Sequence, residues 1–385
     1  MPKFRGNIHS KLPATGTTIF TVMSKLAMEH HAINLSQGFP DFDVSEELMA
    51  LVTKHMAEGK NQYAPMQGLL PLRETISEKM QAAYGVKYNP DTEITVTAGG
   101  TEAIFSAIAA FVGEGDEVII FTPAYDCYEP AIELNGGKTK FVQLKTPGYF
   151  IDWEEVRKIV TRKTKMIIIN NPHNPTGAIL KKQDLKELEK ITKDTDIIVL
   201  SDEVYEHLIF DGSEHQSVCR YNSLAGRSIA VYSFGKTFHV TGWKTGYAVG
   251  PAELMAEFRK AHQFVVFSCN TPLQYAINDY LKNSENYLSL GKFYQEKRDY
   301  FVNGIKNSRF KIIPSYGTYF QLLDYSGITK EKDTDYAVRL TKENKIAGIP
   351  VSVFYNKTVD NKVLRFCFAK KKETLDNAIE ILNKV

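Results

Sequence analysis

One lysine follows an apolar, strand-like run in a segment of small and aromatic residues. Lys236 stands in SFGKTFHVTGWK, at residues 233–244. Most lysines are exposed and do no chemistry, so a solvated lysine is the alternative interpretation. An amine that is surrounded by apolar groups and lies near a second cation has a lowered pKa, which favours imine formation. Lys244 is the candidate for that second cation, and Lys236 is therefore a candidate nucleophile.

An acidic residue and a tyrosine follow a second apolar run, IIVL. Asp202 stands at the exit of this predicted strand, where it can pair with a cationic ring nitrogen through a strong, charge-assisted hydrogen bond. Tyr205 comes three residues later and can direct its hydroxyl at the same ligand. A helix N-cap explains an aspartate at this position equally well.

Two loops between strand-like and helical segments could hold other parts of a ligand. In TAGGTE, Gly100 and Thr101 stand where a helix begins, and the first N–H groups of a helix attract an anion such as phosphate. A simple helix cap is the alternative, and the loop matches neither the dinucleotide-binding glycine pattern nor the Walker sequence. The loop NNPHNPTG, at residues 170–177, predicts a rigid turn in which Asn174 can offer its amide, although a purely structural loop also fits.

One arginine stands inside an otherwise apolar run, VLRFCF. A buried arginine needs an anionic partner. For Arg365 that partner is either a carboxylate of the protein, in a structural salt bridge, or the carboxylate of a substrate held by the guanidinium fork.

These residues need a framework, and short apolar runs alternate with helical stretches from residue 94 onward. Several runs are apolar on both faces, as in a mostly parallel sheet that is covered by helices on both sides. The predicted strands span residues 94–98, 117–121, 138–144, 165–170, 196–202 and 228–234. Open α/β sheets bind ligands at the carboxyl ends of their strands, which is where the candidate residues stand.

The pattern changes after about residue 275. A long helical stretch at residues 275–307 precedes the strand-like runs FKIIP, TYFQLLD and VLRFCFA, which indicates a smaller α+β domain. Residues 45–84 have a helical pattern that is interrupted around Ala64-Pro65. We therefore predict an N-terminal arm with part of the small domain at residues 1–42, a large domain at 43–280 and a small C-terminal domain at 281–385.

Composition excludes several classes of function. The chain has 47 basic and 45 acidic residues, a formal net charge of +2, whereas nucleic-acid binding needs a concentrated basic surface. The N-terminal sequence lacks the apolar core of a signal peptide, and no apolar run reaches membrane-spanning length. The four cysteines form no CxxC pair, and the nine histidines have no metal-ligand spacing. We expect a cytoplasmic protein with no nucleic-acid or membrane partner and no metal.

In their order and spacing, these segments resemble the fold-type I aminotransferases of class I and II over nearly the whole chain. The motifs that carry the resemblance are GTTIF, INLSQGFPDF, NQYAPMQG, PAYDCYEP, NPHNPTG, SDEVYEHL, SFGKTFHVTGWKTGY and LRFCFAKK. Within that family the chain is most similar to the methionine aminotransferase, kynurenine aminotransferase and glutamine transaminase K group. The resemblance implies an α/β fold with a mostly parallel seven-stranded central sheet, helices on both faces and a smaller α+β domain. It also implies pyridoxal 5′-phosphate as cofactor and a homodimer with shared active sites.

The resemblance further implies a role for each matching residue. Lys236 carries the cofactor through its amine and then acts as a base, while Asp202 pairs with the ring nitrogen. Tyr125 stacks on the ring, Asn174 and Tyr205 contact its phenolic oxygen, Gly100, Thr101, Ser233 and Lys244 bind the phosphate, Tyr63 reaches that phosphate from the neighbouring subunit, and Gly38, Asn174 and Arg365 hold the substrate carboxylate. The broad class has arginine where Lys244 stands, whereas the subgroup named above resembles this chain in having lysine.

The implied activity moves the amino group of an L-amino acid to a 2-oxo acid with ping-pong kinetics. Aspartate aminotransferases clamp a distal carboxylate with a second arginine, but the corresponding residues 263–272 contain none. An apolar pocket with Phe20, Tyr63 and Phe267 is therefore expected, with methionine, aromatic amino acids, kynurenine or glutamine as donors. A cysteine-conjugate β-lyase, which would use the same residues, stays open as an alternative. A non-catalytic, cofactor-binding regulator is more remote, because it needs a DNA-binding module and we expect no segment of this chain to supply one.

Overall fold

A computed structural model gives the structure of the chain and describes residues 4–357 and 359–385. The first three residues of the predicted N-terminal arm lie outside the described residues. The helices are α1 Ile19–Glu29, α2 Glu46–Ala57, α3 Leu70–Tyr84, α4 Gly100–Phe111, α5 Tyr128–Leu134, α6 Trp153–Ile159, α7 Lys182–Thr192, α8 Asn222–Ala225, α9 Phe234–Thr237, α10 Ala252–Val265, α11 Thr271–Leu281, α12 Glu285–Leu288, α13 Leu290–Ile305, α14 Asp333–Glu343 and α15 Lys372–Lys384. The strands are β1 Ile33–Asn34, β2 Ile94–Thr97, β3 Glu117–Thr122, β4 Lys138–Gln143, β5 Thr164–Asn170, β6 Ile198–Asp202, β7 Ser228–Ser233, β8 Gly246–Val249, β9 Lys311–Ile313, β10 Phe320–Asp324, β11 Ile346–Ala347, β12 Ile349–Pro350 and β13 Val363–Cys367.

Seven strands form the central sheet in the order β2-β8-β7-β6-β5-β3-β4. The five adjacent strands β7, β6, β5, β3 and β4 pair in parallel with one another, whereas β8 pairs antiparallel with both β2 and β7. This confirms the predicted α/β fold with a mostly parallel, seven-stranded sheet. The six strands predicted individually are present, while β8 was missed because it has only four residues and begins with a glycine.

Both faces of this sheet are buried. Met166 and Ile168 of β5 belong to one apolar cluster, and Ile167 and Ile169 belong to the other. Successive side chains of a strand point to opposite faces, so the two clusters lie on opposite sides of the sheet. Helices α4, α5 and α10 contribute to the first cluster, and α3, α6, α7 and α11 contribute to the second, which confirms the predicted helical layers.

A second, four-stranded antiparallel sheet has the order β12-β13-β10-β9. Near the N-terminus, β1 pairs in parallel with β11, so the N-terminal segment joins the C-terminal part of the chain. These elements have the α+β character predicted for the smaller domain, and the boundaries at residues 42/43 and 280/281 stay a prediction. None of the helices in the described part of the chain is long and apolar enough to cross a membrane.

The long helical stretch predicted at residues 275–307 is helical but not continuous. Three helices, α11, α12 and α13, occupy this region. The break lies at the polar residues between α11 and α12, where the side chain of Asn283 accepts a hydrogen bond from the backbone N–H of Glu285 at 3.2 Å. Such local side-chain contacts compete with the helical hydrogen bonds and end the helix.

Candidate active site

A cavity of about 180 Å³ opens at the carboxyl ends of β2, β5, β6 and β7. Its lining contains every residue predicted to contact the cofactor except Tyr63: Gly100, Thr101, Tyr125, Asn174, Asp202, Tyr205, Ser233, Lys236 and Lys244. The sheet explains this convergence, because parallel strands deliver the loops that follow them to the same edge.

One end of the cavity has the donors that an anion requires. Helix α4 begins there at Gly100, with its unpaired N–H groups directed at the cavity. The preceding Gly99 has φ +84°, a conformation that a residue with a side chain rarely adopts. A Cβ atom at Gly99 would lie 3.6 Å from the Nζ atom of Lys244, so the missing side chain leaves room beside this ammonium group. With the hydroxyls of Thr101 and Ser233 in the same lining, this end suits a phosphate.

The other end of the cavity holds a buried carboxylate. Asp202 is 3 % exposed and ends β6. Its Oδ2 atom accepts a 2.5 Å hydrogen bond from the hydroxyl of Tyr128, and its Oδ1 atom accepts a long one, 3.4 Å, from the N–H of Val204. Burial raises the pKa of Asp202 to about 6, against the opposing effect of the hydrogen bond from Tyr128. A carboxylate with so few donors can bind a protonated ring nitrogen.

Lys236 directs its amine into this cavity from α9. Burial, together with the nearby cations Arg365 and Lys244, lowers the pKa of Lys236 to about 8, against the opposing effect of Cys367. The lysine is therefore buried and lies near other cations. Its Nζ atom donates hydrogen bonds to the hydroxyl of Tyr319 at 2.8 Å and to the carbonyl of Gly38 at 3.2 Å.

The loop at residues 170–177 connects the cavity to Arg365. The backbone N–H of Asn174 donates to Oδ1 of Asn170 at 2.8 Å, and the amide of Asn170 donates to the carbonyl of Asp202 at 2.9 Å. The Oδ1 atom of Asn174 accepts a 2.7 Å hydrogen bond from the guanidinium of Arg365. The loop is therefore fixed on both sides and presents Asn174 between the cavity and the arginine.

Arg365 is 1 % exposed, and burial lowers its pKa to about 10. It donates to the carbonyl of Ser36 at 3.1 Å and lies over the ring of Phe320 at 3.9 Å, with Phe20 at 5.4 Å. Among the described residues, no carboxylate lies within 4.0 Å of it, and its Nε atom has no hydrogen-bond partner. The structural salt bridge considered from the sequence is therefore absent there, and a fork directed at an external carboxylate fits better.

Tyr63 and Phe267 do not meet the other candidates within one chain. They pack against each other with ring centroids 5.1 Å apart, are 80 % and 56 % exposed, and are absent from the cavity lining. Gly38 and Phe20, in contrast, lie next to the site through their contacts with Lys236 and Arg365.

Two site residues were not predicted individually. Tyr128 is part of the motif PAYDCYEP, but only Tyr125 was given a role there. Tyr319 belongs to the run TYFQLLD, whose apolar pattern indicates only a strand, and its contact with Lys236 joins residues 83 positions apart. No local pattern could have revealed that contact.

This fold and site define the class of pyridoxal-phosphate-dependent transferases of fold type I, since an amine, a buried carboxylate and an anion-binding helix start meet at one sheet edge. The family model for aminotransferases of class I and II matches residues 30–382, so the chain belongs to that family. It is an aminotransferase that depends on pyridoxal phosphate.

Several known proteins are similar over most or all of their length. The methionine aminotransferase of Escherichia coli is 48% identical over 377 residues, which cover 98% of each chain. The crystal structure of YbdL from Escherichia coli, for which a methionine aminotransferase function was identified, matches with a TM-score of 0.97 and 48% identity over 98% of this chain and 100% of that one. Human kynurenine–oxoglutarate transaminase 3 is 33% identical over 97% of this chain and 89% of its own.

Proposed function

We propose that this aminotransferase takes its amino group from L-amino acids with hydrophobic or neutral side chains and passes it to a 2-oxo acid. The observation that carries the proposal is the buried Arg365, which lies among aromatic rings and within reach of the cavity through Asn174. A carboxylate held there would direct the rest of an amino acid towards Lys236. The candidate donors are methionine, aromatic amino acids, kynurenine and glutamine.

We assign the cofactor-binding roles as follows. Gly100, Thr101, Ser233 and Lys244 would hold the phosphate, Tyr125 would cover the ring, Asn174 and Tyr205 would donate to the phenolic oxygen, and Asp202 would hold the proton on the ring nitrogen. When bound, pyridoxal phosphate supplies an electron sink for the charge that develops on the α-carbon of the substrate. Asp202 supports this because a buried carboxylate keeps the nearby nitrogen cationic.

Lys236 would perform the proton transfer. Once a substrate amine has displaced Lys236 from the cofactor, the Nζ atom of Lys236 would be free to take the proton from the α-carbon of the substrate. The same atom would then return that proton to a carbon of the cofactor. A pKa lowered to about 8 leaves an appreciable neutral fraction of this amine near neutral pH, which a base requires.

The side-chain preference is supported by what surrounds the substrate side. Phe20, Phe320 and Phe354 lie within 5.5 Å of the guanidinium of Arg365, and residues 263–272 offer no second arginine. The similar proteins whose names include methionine and kynurenine point in the same direction. A distal carboxylate would find no cation in residues 263–272, so aspartate should be a poor donor.

The quaternary structure and location are also proposals. A homodimer would bring Tyr63 and Phe267 of one subunit to the site of the other, which accounts for their exposure in one chain. The arm at 1–42, the large domain at 43–280 and the small domain at 281–385 remain our division of the chain. All four cysteines are free thiols, which supports a reducing compartment, the cytoplasm.

Absorbance spectroscopy with a panel of amino acids tests the proposal. The bound cofactor should be bleached by methionine and phenylalanine and restored by a 2-oxo acid, whereas aspartate should act much more slowly. Lys236→Ala should lose the covalent link to the cofactor and about 10³-fold or more in kcat, while the exposed-site control Lys260→Ala should retain both.

Two results would contradict the proposal. If aspartate is a better donor than methionine and phenylalanine, the substrate assignment is wrong. If pyruvate and ammonia form from a cysteine conjugate without any acceptor, faster than amino transfer occurs, the β-lyase alternative is correct.

A further inference from the structure

The amine of Lys236 donates hydrogen bonds to two oxygen atoms. Its Nζ atom lies 2.8 Å from the hydroxyl of Tyr319 and 3.2 Å from the carbonyl oxygen of Gly38. The hydroxyl of Tyr319 in turn hydrogen-bonds to the same carbonyl. Tyr319 is fully buried, and it comes directly before β10.

The direction of these bonds follows from the groups involved. A carbonyl only accepts, so the hydroxyl of Tyr319 donates its proton to Gly38, and its oxygen is left to accept from Lys236. Burial raises the pKa of Tyr319 well above its ordinary value, so this group remains a neutral phenol. The amine is therefore held by two neutral acceptors rather than by a carboxylate, and its proton stays exchangeable.

We propose that Tyr319 is a further catalytic residue, whose hydroxyl and the Gly38 carbonyl together form the resting position of the Lys236 amine whenever it is not joined to the cofactor. This inference rests on the proposed role of Lys236 and adds the group that controls it between bond breaking and proton transfer. A lysine side chain has several rotatable bonds, and holding its end fixed removes the entropy cost of finding the reacting atoms.

The contact predicts a measurable shift in the ionisation of Lys236. An acceptor favours the charged, donating form of an amine, so its loss should lower the pKa of Lys236 further. The charged and titratable groups around this amine are Asp202, Tyr205, Lys244, Tyr319, Arg365 and Cys367. Only Tyr319 changes in the variant Tyr319→Phe, so a shift reports on its hydroxyl.

The experiment follows the loading of cofactor-free protein with pyridoxal phosphate across pH, with borohydride trapping and mass spectrometry to identify the modified lysine. Loading requires the neutral amine, so its rate rises with pH through the pKa of Lys236. Tyr319→Phe should move the midpoint to lower pH by about half a unit to one unit. In the loaded enzyme kcat should fall about tenfold while KM for methionine stays within about twofold, because only the proton-transfer step is affected.

Tyr294→Phe is the matched control. Tyr294 is equally buried and its ring lies 5.8 Å from that of Tyr319, but its hydroxyl has no hydrogen-bond partner among the described residues. This variant should leave both the midpoint and kcat unchanged. An identical midpoint and kcat in Tyr319→Phe and the wild type, or an equal shift in both variants, would overturn the inference. Failure of the proposed function would give a different result. If Lys236 did not carry the cofactor, borohydride would trap as much cofactor on the Lys236→Ala variant as on the wild type.

Discussion

The carboxylate of Asp202 depends on a single strong donor. Tyr128 approaches it at 2.5 Å and is itself 3 % exposed, so this hydrogen bond is shielded from bulk solvent. Removal from water favours the neutral acid, whereas donation from Tyr128 favours the carboxylate. Tyr128 therefore lowers a pKa that burial would otherwise raise above 6.

Tyr128→Phe should make cofactor binding more sensitive to acid. Binding of the protonated ring needs the carboxylate form of Asp202, so affinity falls as the pH drops through the pKa of this residue. Without the phenol that pKa rises, by about one unit, and the loss of affinity begins at a correspondingly higher pH. Titration of the cofactor-free protein with pyridoxal phosphate between pH 5 and 8, followed by fluorescence, measures the midpoint.

Tyr149→Phe provides the comparison for this measurement, since Tyr149 is buried to a similar degree and does not contact Asp202. It should titrate like the wild type. If Tyr128→Phe does so as well, the hydroxyl has no influence on the carboxylate.

At the scale of elements, helix α3 is joined to the turn that follows β6. The Nζ atom of Lys79 lies 2.7 Å from Oε1 of Glu206 and 3.0 Å from the hydroxyl of Tyr247, and the hydroxyl of Tyr84 also contacts Glu206. Lys79 is 4 % and Glu206 is 6 % exposed. Glu206 directly follows Tyr205, so this buried ion pair fixes the segment that carries the site residues.

Lys79→Met should destabilise the protein by about 3–5 kcal/mol at pH 7, because it leaves the carboxylate of Glu206 buried without its partner. Burial raises the pKa of Glu206, but Lys79 and His207 outweigh it and the net shift is downward. A lowered folded-state pKa means that the pair contributes its full stabilisation above the unfolded pKa of about 4.3 and loses it progressively as the pH falls from there through the folded-state pKa. Urea unfolding at pH 7 measures the first effect, and a pH series that continues below about pH 4 measures the second.

Lys54→Met removes an exposed pair with Glu58, at 4.0 Å, and should change the free energy of unfolding by less than about 1 kcal/mol. A loss of that small size in Lys79→Met would show that the buried pair does not anchor the turn.

The helices and strands differ in how readily they can be predicted from the sequence. Runs such as KMIIIN indicate strands because both of their faces are apolar, and the residues at their exits then converge by topology. β8 could not be recognised in this way, since it has only four residues, begins with a glycine and takes its place between β2 and β7 by pairing with distant strands. The contacts of Arg365 with Asn174 and of Lys236 with Tyr319 also join distant segments. Motifs in the sequence identified both Arg365 and Asn174 as residues of one site, whereas the role of Tyr319 became visible only in the structure.

At the scale of the whole molecule, Tyr63 and Phe267 lie outside the cavity of their own chain. They form an exposed aromatic pair, and the neighbouring Phe264 is 88 % exposed. Large apolar side chains grouped on a surface mark an interaction site. The proposed homodimer would cover this pair with a second copy of the chain and would complete each site with residues from both subunits.

Mixed dimers test this arrangement directly. Lys236→Ala and Tyr63→Ala should each have low activity alone. In a hybrid of the two, one site carries both substitutions and the other carries neither, so random mixing should recover about a quarter of the wild-type activity per site. Lys236→Ala mixed with Asp202→Ala is the control, because both residues line the same cavity in one chain and every hybrid site then lacks one of them. Recovery in the first mixture alone requires sites shared between subunits; no recovery, or equal recovery in both, would mean that Tyr63 does not act across a dimer interface.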